Sequence, residues 1–308
     1  MFPTASSIGT KNSFDGGRFT LNASAFYNIY QDYQISQIVD RISLNENFDA
    51  RTWGLEIETA WRPSRNFRLD ATLGLLDTRI GKGAQSIDVM DRTQGNSDWM
   101  LLRPWIQVPS NCVAPTALVQ RILGFGGATE DLKTLMLSAL CAGSARWGTF
   151  NPAVSNVQPA FRFDQLLGFT YNPLTDAPNG GRGFYADLGG NELPNAPHYT
   201  FNIGAQYTAF LEGGDWTLTF RGDYYRQGKS FARVFNTEYD RLRAWDNVNL
   251  AVTLARGEGD FALQLYVKNL FDKAPITGTF TNSDDTGLST NIFILDPRIV
   301  GLNATVKF

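Results

Sequence analysis

Apolar and polar residues alternate in step along most of this chain. Near its end, Val300, Leu302, Ala304, Val306 and Phe308 fall on one side, with Gly301, Asn303, Thr305 and Lys307 on the other. Upstream, Phe261, Leu263, Leu265 and Val267 alternate with Ala262, Gln264, Tyr266 and Lys268, and Val248, Leu250, Val252 and Leu254 with Asn249, Ala251, Thr253 and Ala255. A repeat of two marks a strand half-buried on one face, because successive Cβ atoms point to opposite faces. The same period runs from Phe201 to Tyr207, Trp216 to Phe220, Trp53 to Trp61, Phe67 to Leu75 and Phe19 to Tyr27, with Ile8 to Asn12 as the tail of an earlier strand. Short turn sequences join these runs: Asp15-Gly16-Gly17, Pro63-Ser64-Arg65-Asn66, Glu212-Gly213-Gly214-Asp215 and Gly257-Glu258-Gly259-Asp260. Glycine accepts the positive φ that tight hairpins demand. The pattern predicts an all-β antiparallel fold of eight to nine strands.

Alternation alone does not distinguish a soluble sandwich from a membrane barrel. Strand length and loop length favour the barrel. Ten residues at about 3.3 Å each, tilted by roughly 40°, cover about 25 Å, the height of the apolar band of an outer membrane. Short turns alternate with long connections, as in such barrels, and the aromatics Trp53, Trp61, Phe67, Trp216, Tyr224 and Tyr225 sit near strand ends, where interfacial girdles form. Residues 81–194 form one very long connection, rich in Gly, Pro and Asn, and this is the expected extracellular recognition loop. Within it, Thr129-Glu130-Asp131 before Leu132, Leu135, Met136 and Ala139 reads as the start of a helix.

Composition narrows the class further. The 308 residues are 43% hydrophobic and 19% charged, enough apolar surface to fold. No run approaches the roughly 20 apolar residues that a spanning helix needs. The net charge of −3, with basic residues scattered along the chain, argues against a nucleic-acid partner. Met1 to Ser7 lacks the basic-then-apolar layout of a secretory signal. Cys112 and Cys141 are compatible with one loop-closing disulfide, or with two separate thiols. Two Cys and the single His198 complete no metal site, and no cofactor is expected.

The stretch from Leu265 through Lys268-Asn269-Leu270-Phe271-Asp272-Lys273, then Asp296-Pro297-Arg298 and Gly301 before a last strand closing on Phe308, resembles the terminal signature of TonB-dependent outer-membrane receptors. Gly54-Leu55-Glu56-Ile57-Glu58 and Leu193-Pro194-Asn195-Ala196-Pro197-His198-Tyr199 are similar to further strand motifs of that family. The resemblance implies a transmembrane barrel of 22 strands around an N-terminal plug, importing a scarce ligand of siderophore, cobalamin, glycan or peptide type with energy relayed by TonB. It also implies location in the bacterial outer membrane, with lipid and the barrel-assembly machinery as partners and Phe308 as the assembly signal. With no plug-like domain or TonB-contacting box in the sequence, these residues are expected to be the C-terminal part of such a barrel, not transport-competent alone.

On the polar faces, Glu56, Glu58, Asp70, Arg221, Asp223 and Arg226 are the candidates to line the lumen, either as a hydrated ligand path or as paired wall charges. In the long loop, Trp99, Trp105, Trp147 and Phe161 could stack on a sugar or aromatic chelator, or pack the loop itself. Two readings of other classes compete. An autonomous eight-stranded barrel would act as a pore or adhesin. An outer-membrane hydrolase would need His198 beside a nucleophile, and its place between Pro197 and a strand fits a rim residue better. Asp284-Asp285 fits a solvated loop.

Overall fold

The structure, a computed structural model, describes residues 2–39, 42–103, 112–138, 140–141, 168, 170–257, 260–282 and 287–307. Among them, nine strands form one antiparallel sheet: β1 (Phe2–Phe14), β2 (Phe19–Val39), β3 (Ile42–Trp61), β4 (Phe67–Ile80), β5 (Tyr199–Leu211), β6 (Trp216–Gln227), β7 (Trp245–Arg256), β8 (Phe261–Lys268) and β9 (Ile299–Val306). Each pairs with its neighbours in sequence, and the outermost, β1 and β9, pair on one side only. The sheet is therefore an up-and-down wall with two open edges. Two of its turns carry three successive positive-φ residues, Asp15-Gly16-Gly17 and Glu212-Gly213-Gly214, the backbone shape for which Gly is suited.

The register gives the wall two different faces. Leu265 opposes Val252 on one side and Leu302 on the other, and Leu55 lies between Ala25 and Leu75, so one face is mainly apolar from β2 to β9. Much of it is exposed, including Tyr207, Phe220, Leu250, Leu265 and Leu302. On this face, four strands carry aromatics eight residues apart: Phe19 and Tyr27, Trp53 and Trp61, Tyr199 and Tyr207, Trp216 and Tyr224. Eight residues span about 26 Å along a strand, or roughly 20 Å of height at a 40° tilt, the spacing of two interfacial girdles. An arginine in the middle of this band meets lipid. Leu265→Arg is expected to cost roughly 2–4 kcal/mol, while Gln264→Arg, on the opposite face, changes stability by less than about 0.5 kcal/mol. Denaturant titration of the intact protein refolded into lipid vesicles checks this, and equal losses at the two positions would contradict the assignment of faces.

The longest strands exceed what a membrane requires. β2 and β3 make a hairpin whose pairing runs without a break from Phe19 and Trp61 to Tyr30 and Ala50, then resumes at Tyr33 and Phe48. At the break, Gln31 and Asp32 oppose the single residue Asp49, with Asp32 at φ 55° and its amide donating to Asp49 Oδ1 at 3.4 Å. This bulge reverses the alternation, so Tyr30 and Tyr33 both face the inner side, edge to face at 5.8 Å. There they join Phe48, Ala50, Ile80, Leu188, Leu193 and Val234 in an apolar core above the wall. Sequence periodicity reads β2 only to Tyr27, because the bulge breaks the count.

The connection between β8 and β9 shows why its motif residues matter locally. Asn269 is buried, and its Nδ2 donates to the carbonyls of Lys273 and Asp296, both at 2.8 Å, while its Oδ1 accepts the Lys273 amide at 3.0 Å. Asp272 accepts the Arg298 amide at 2.8 Å. Asn269 and Asp272 both have positive φ, near 50°, which Asn and Asp tolerate better than most residues. The short polar side chains thus tie the end of β8 to the start of β9, on either side of a hairpin formed by Ile276–Thr281 and Thr290–Ile294.

Candidate functional site

The polar face of the wall brings Asp70, Arg221 and Asp223 together. Asp70 opposes Gly204, which opposes Asp223, and Arg221 lies one row away. Having no Cβ, Gly204 leaves room for the guanidinium to cross. Arg221 donates from Nη1 and Nη2 to the two Asp70 oxygens at 2.9 and 3.0 Å, and from Nε to Asp223 at 3.1 Å. A planar fork held by two carboxylates is a rigid wall tie. A Cβ on Gly204 would stand 2.7 Å from Asp223 Oδ1, so Gly204→Ala forces the fork aside. We expect a loss of roughly 1–3 kcal/mol, read as a lower unfolding midpoint in detergent. Glu56 and Glu58 share this face: Glu56 accepts from Ser24 Oγ at 3.4 Å, and Glu58 lies in register with Asn22 and Thr72.

Arg226 does not belong to this group. It has the parity of Phe220 and Tyr224 and opposes Phe201 and Asp246, so it lies on the apolar face near the loop end. The expectation that it lines the lumen is corrected by one step of strand parity. Tyr225 is corrected in the opposite sense: it sits on the polar face, in contact with Trp245 at 5.1 Å, not in a girdle.

Beyond the loop end of the wall lies a cavity of about 450 Å³. The upper part of the β2–β3 hairpin contributes Tyr33, Ile35 and Glu46, the segment after β6 contributes Arg233, Val234 and Phe235, and the hairpin between β8 and β9 contributes Phe280. Of these lining residues, Arg233 is clamped in place. Its Nη1 donates to Asp88 at 2.7 Å and its Nε to Asp240 at 2.5 Å, and its guanidinium lies 5.0 Å from the Phe235 ring centre. Burial works against the charge, but the bonds to Asp88 and Asp240 outweigh it and push the guanidinium above its ordinary value. Asp240 also closes a turn by accepting from the amide and hydroxyl of Thr237. None of the cavity residues was a candidate from sequence. Tyr33 could have been found only by knowing that the hairpin continues past Tyr27, and Phe235 and Phe280 lie in connections that the alternation of the wall strands does not reach.

The long connection folds on its own core. A hairpin of Trp99–Leu102 and Cys112–Pro115 leads into α1 (Thr116–Leu123), which periodicity did not reveal, and α2 (Glu130–Ser138) begins where the Thr129 signal predicts. Thr129 Oγ1 accepts the Leu132 amide at 3.3 Å. Cys112 and Cys141 are joined by a disulfide and buried with Val119, Ile122, Met136 and Leu140. Trp99 packs against this core and meets Phe184 edge to face at 6.0 Å. Trp105, Trp147, Phe161 and Phe308, with Asp284 and Asp285, lie outside the described residues. His198 bonds Glu192 at 2.9 Å, and Arg79 stands 3.6 Å from the same carboxylate, so the one histidine belongs to a rim ion cluster.

The family model described as TonB dependent receptor-like, beta-barrel, matches residues 4–107 and 135–270, well over half of the chain. The chain belongs to the TonB-dependent receptor family. As a member it resides in the bacterial outer membrane. Solved structures agree on the fold. The ferric yersiniabactin uptake receptor FyuA from Yersinia pestis superposes with a TM-score of 0.55 at 14% identity, over 99% of this chain and 30% of that one. The siderophore receptor PiuA from Acinetobacter baumannii gives 0.52 at 15% identity, over 98% of this chain and 28% of that one. The ferric citrate transporter FecA gives 0.50 at 16% identity, over 99% and 31%. This receptor chain therefore spans about 30% of the length of those proteins. No curated protein matches it.

Proposed function

We propose that this receptor chain supplies wall and outer loops to a transporter that takes up a scarce ligand, of siderophore, cobalamin or glycan class, with energy relayed by TonB through a plug. Short turns face the periplasm and long loops the exterior in such barrels, which puts the 81–194 loop and the cavity outside. The observation that carries the reading is that cavity: three separate loop segments converge on Tyr33, Phe235 and Phe280, aromatic faces that can stack on a ligand. The open edges of the sheet favour a larger barrel over an autonomous small pore. The engagement of His198 by Glu192 offers nothing to a hydrolytic reading. Lipid, the barrel-assembly machinery acting on Phe308, and TonB are the partners proposed. Uptake of radio-iron siderophores, cyanocobalamin and maltodextrins, compared in strains with and without the intact receptor and with and without TonB, tests it. Receptor-dependent and TonB-dependent uptake of one probe is expected, and uptake unaffected by the receptor for every probe would sink the proposal.

A further inference from the structure

Arg226 is a full charge on the face that meets lipid, and it is not alone there. Asp246, opposite it in register, stands 3.6 Å from Arg226 Nη1 through Oδ2, and its Oδ1 holds the ammonium of Lys273. Two cations thus hang on the two oxygens of one carboxylate, leaving a net charge of +1, and both cationic side chains are nearly half exposed. Tyr199 accepts from Arg226 Nε at 3.0 Å, in the upper aromatic row, so the cluster sits at girdle height. Lys273 is brought there by the bonds of Asn269 to its amide and carbonyl.

A second observation lies on the same strand. Four residues below Arg226, Gly222 opens a groove of about 280 Å³ on the apolar face, lined by Ala205, Tyr207, Phe220, Leu250 and Val252. Four residues correspond to about 13 Å along the strand, or roughly 10 Å of depth below the girdle. A cationic clamp at the headgroup level above an apolar dent in the hydrocarbon is the shape and polarity of one lipid with a phosphorylated head. Long basic side chains at such a boundary extend to the polar layer, where anionic headgroups hold them.

We infer that Arg226 and Lys273, with the groove at Gly222, form a binding site for a phosphorylated glycolipid of the outer leaflet, with lipopolysaccharide as its occupant. It rests on the outward orientation of the loop end and is independent of which ligand the receptor imports. Native mass spectrometry of the intact receptor in mild detergent, titrated with lipopolysaccharide, reads the site directly. Arg226→Gln with Lys273→Gln is expected to weaken binding about thirtyfold, two cations near a charged lipid layer contributing about fivefold each. Gly222→Leu, which fills the groove, should also weaken it. Asp246→Asn keeps both cations and removes the competing carboxylate, so it should tighten binding. Lipopolysaccharide stripped of phosphate should bind the unaltered receptor as weakly as phosphorylated lipid binds the double variant, a comparison that requires no variant to be stable. Equal binding of the two lipids, unchanged binding by the double variant, or weaker binding by Asp246→Asn would each overturn the site.

Discussion

Replacing Arg233 by methionine should unlock the outer loops while leaving the nine-stranded wall in place. The side chains of Asp88 and Asp240 are 3% and 1% exposed, and Arg233 is the cation that holds both. Methionine fills much of the same volume but strands two buried carboxylates. Removing one partner from a buried ion cluster costs roughly 3–5 kcal/mol, since the remaining charges lose their compensation. The loss falls on the local stability of residues 84–92 and 230–242, which the cluster ties together, and so on the cavity that Arg233 lines. Hydrogen exchange should show faster opening of those two segments and unchanged protection in β5 to β8. Asp88→Asn should be far milder, because the amide keeps an acceptor and lowers the number of buried negative charges. Unchanged exchange in Arg233→Met would mean that the loops are held by apolar packing alone.

Opening the Cys112–Cys141 disulfide comes next in expected effect. The bond closes a loop across a sequence separation of 29 residues. The chain-entropy relation gives roughly 3–4 kcal/mol for a loop of that size. That stability belongs to the small core around Val119, Ile122, Met136 and Leu140, whose members among the described residues all come from the long connection. Cys112→Ser with Cys141→Ser is therefore expected to make residues 99–141 sensitive to protease at temperatures where the barrel still runs as a folded band on a gel. Resistance equal to that of the oxidised protein would show that the two helices hold the loop without the bond.

How far the sequence could be read depended on what periodicity encodes. Alternation specifies which side of its own strand a residue occupies, and so it located the apolar face, the short turns and the wall strands from β2 to β9. It also held the answer for Arg226, which shares parity with Phe220, but composition grouped it with Arg221 and Asp223 as another polar residue near the strand end. Register between strands is set by pairing and is not written in any one strand, so the fork from Arg221 across Gly204 to Asp70 could not be foreseen. The helix signal at Thr129 was legible because a cap and an acidic first turn are local features. α1 begins after Pro115 with no capping side chain, and left no such mark. The cavity was hidden for a further reason: its aromatics come from three distant segments, and the one nearest a readable strand follows the bulge.

That bulge means the β2–β3 hairpin is read in two frames. Below Gln31-Asp32, odd-numbered positions of β2 face lipid, and above it the odd-numbered Tyr33 and Ile35 face inward, so one inserted residue acts as a shift of phase. Lipid-facing and cavity-facing surfaces are thereby uncoupled within a single strand. Selection, or an engineer, can rewrite the upper frame to reshape the outer cavity while the lower frame goes on satisfying the membrane.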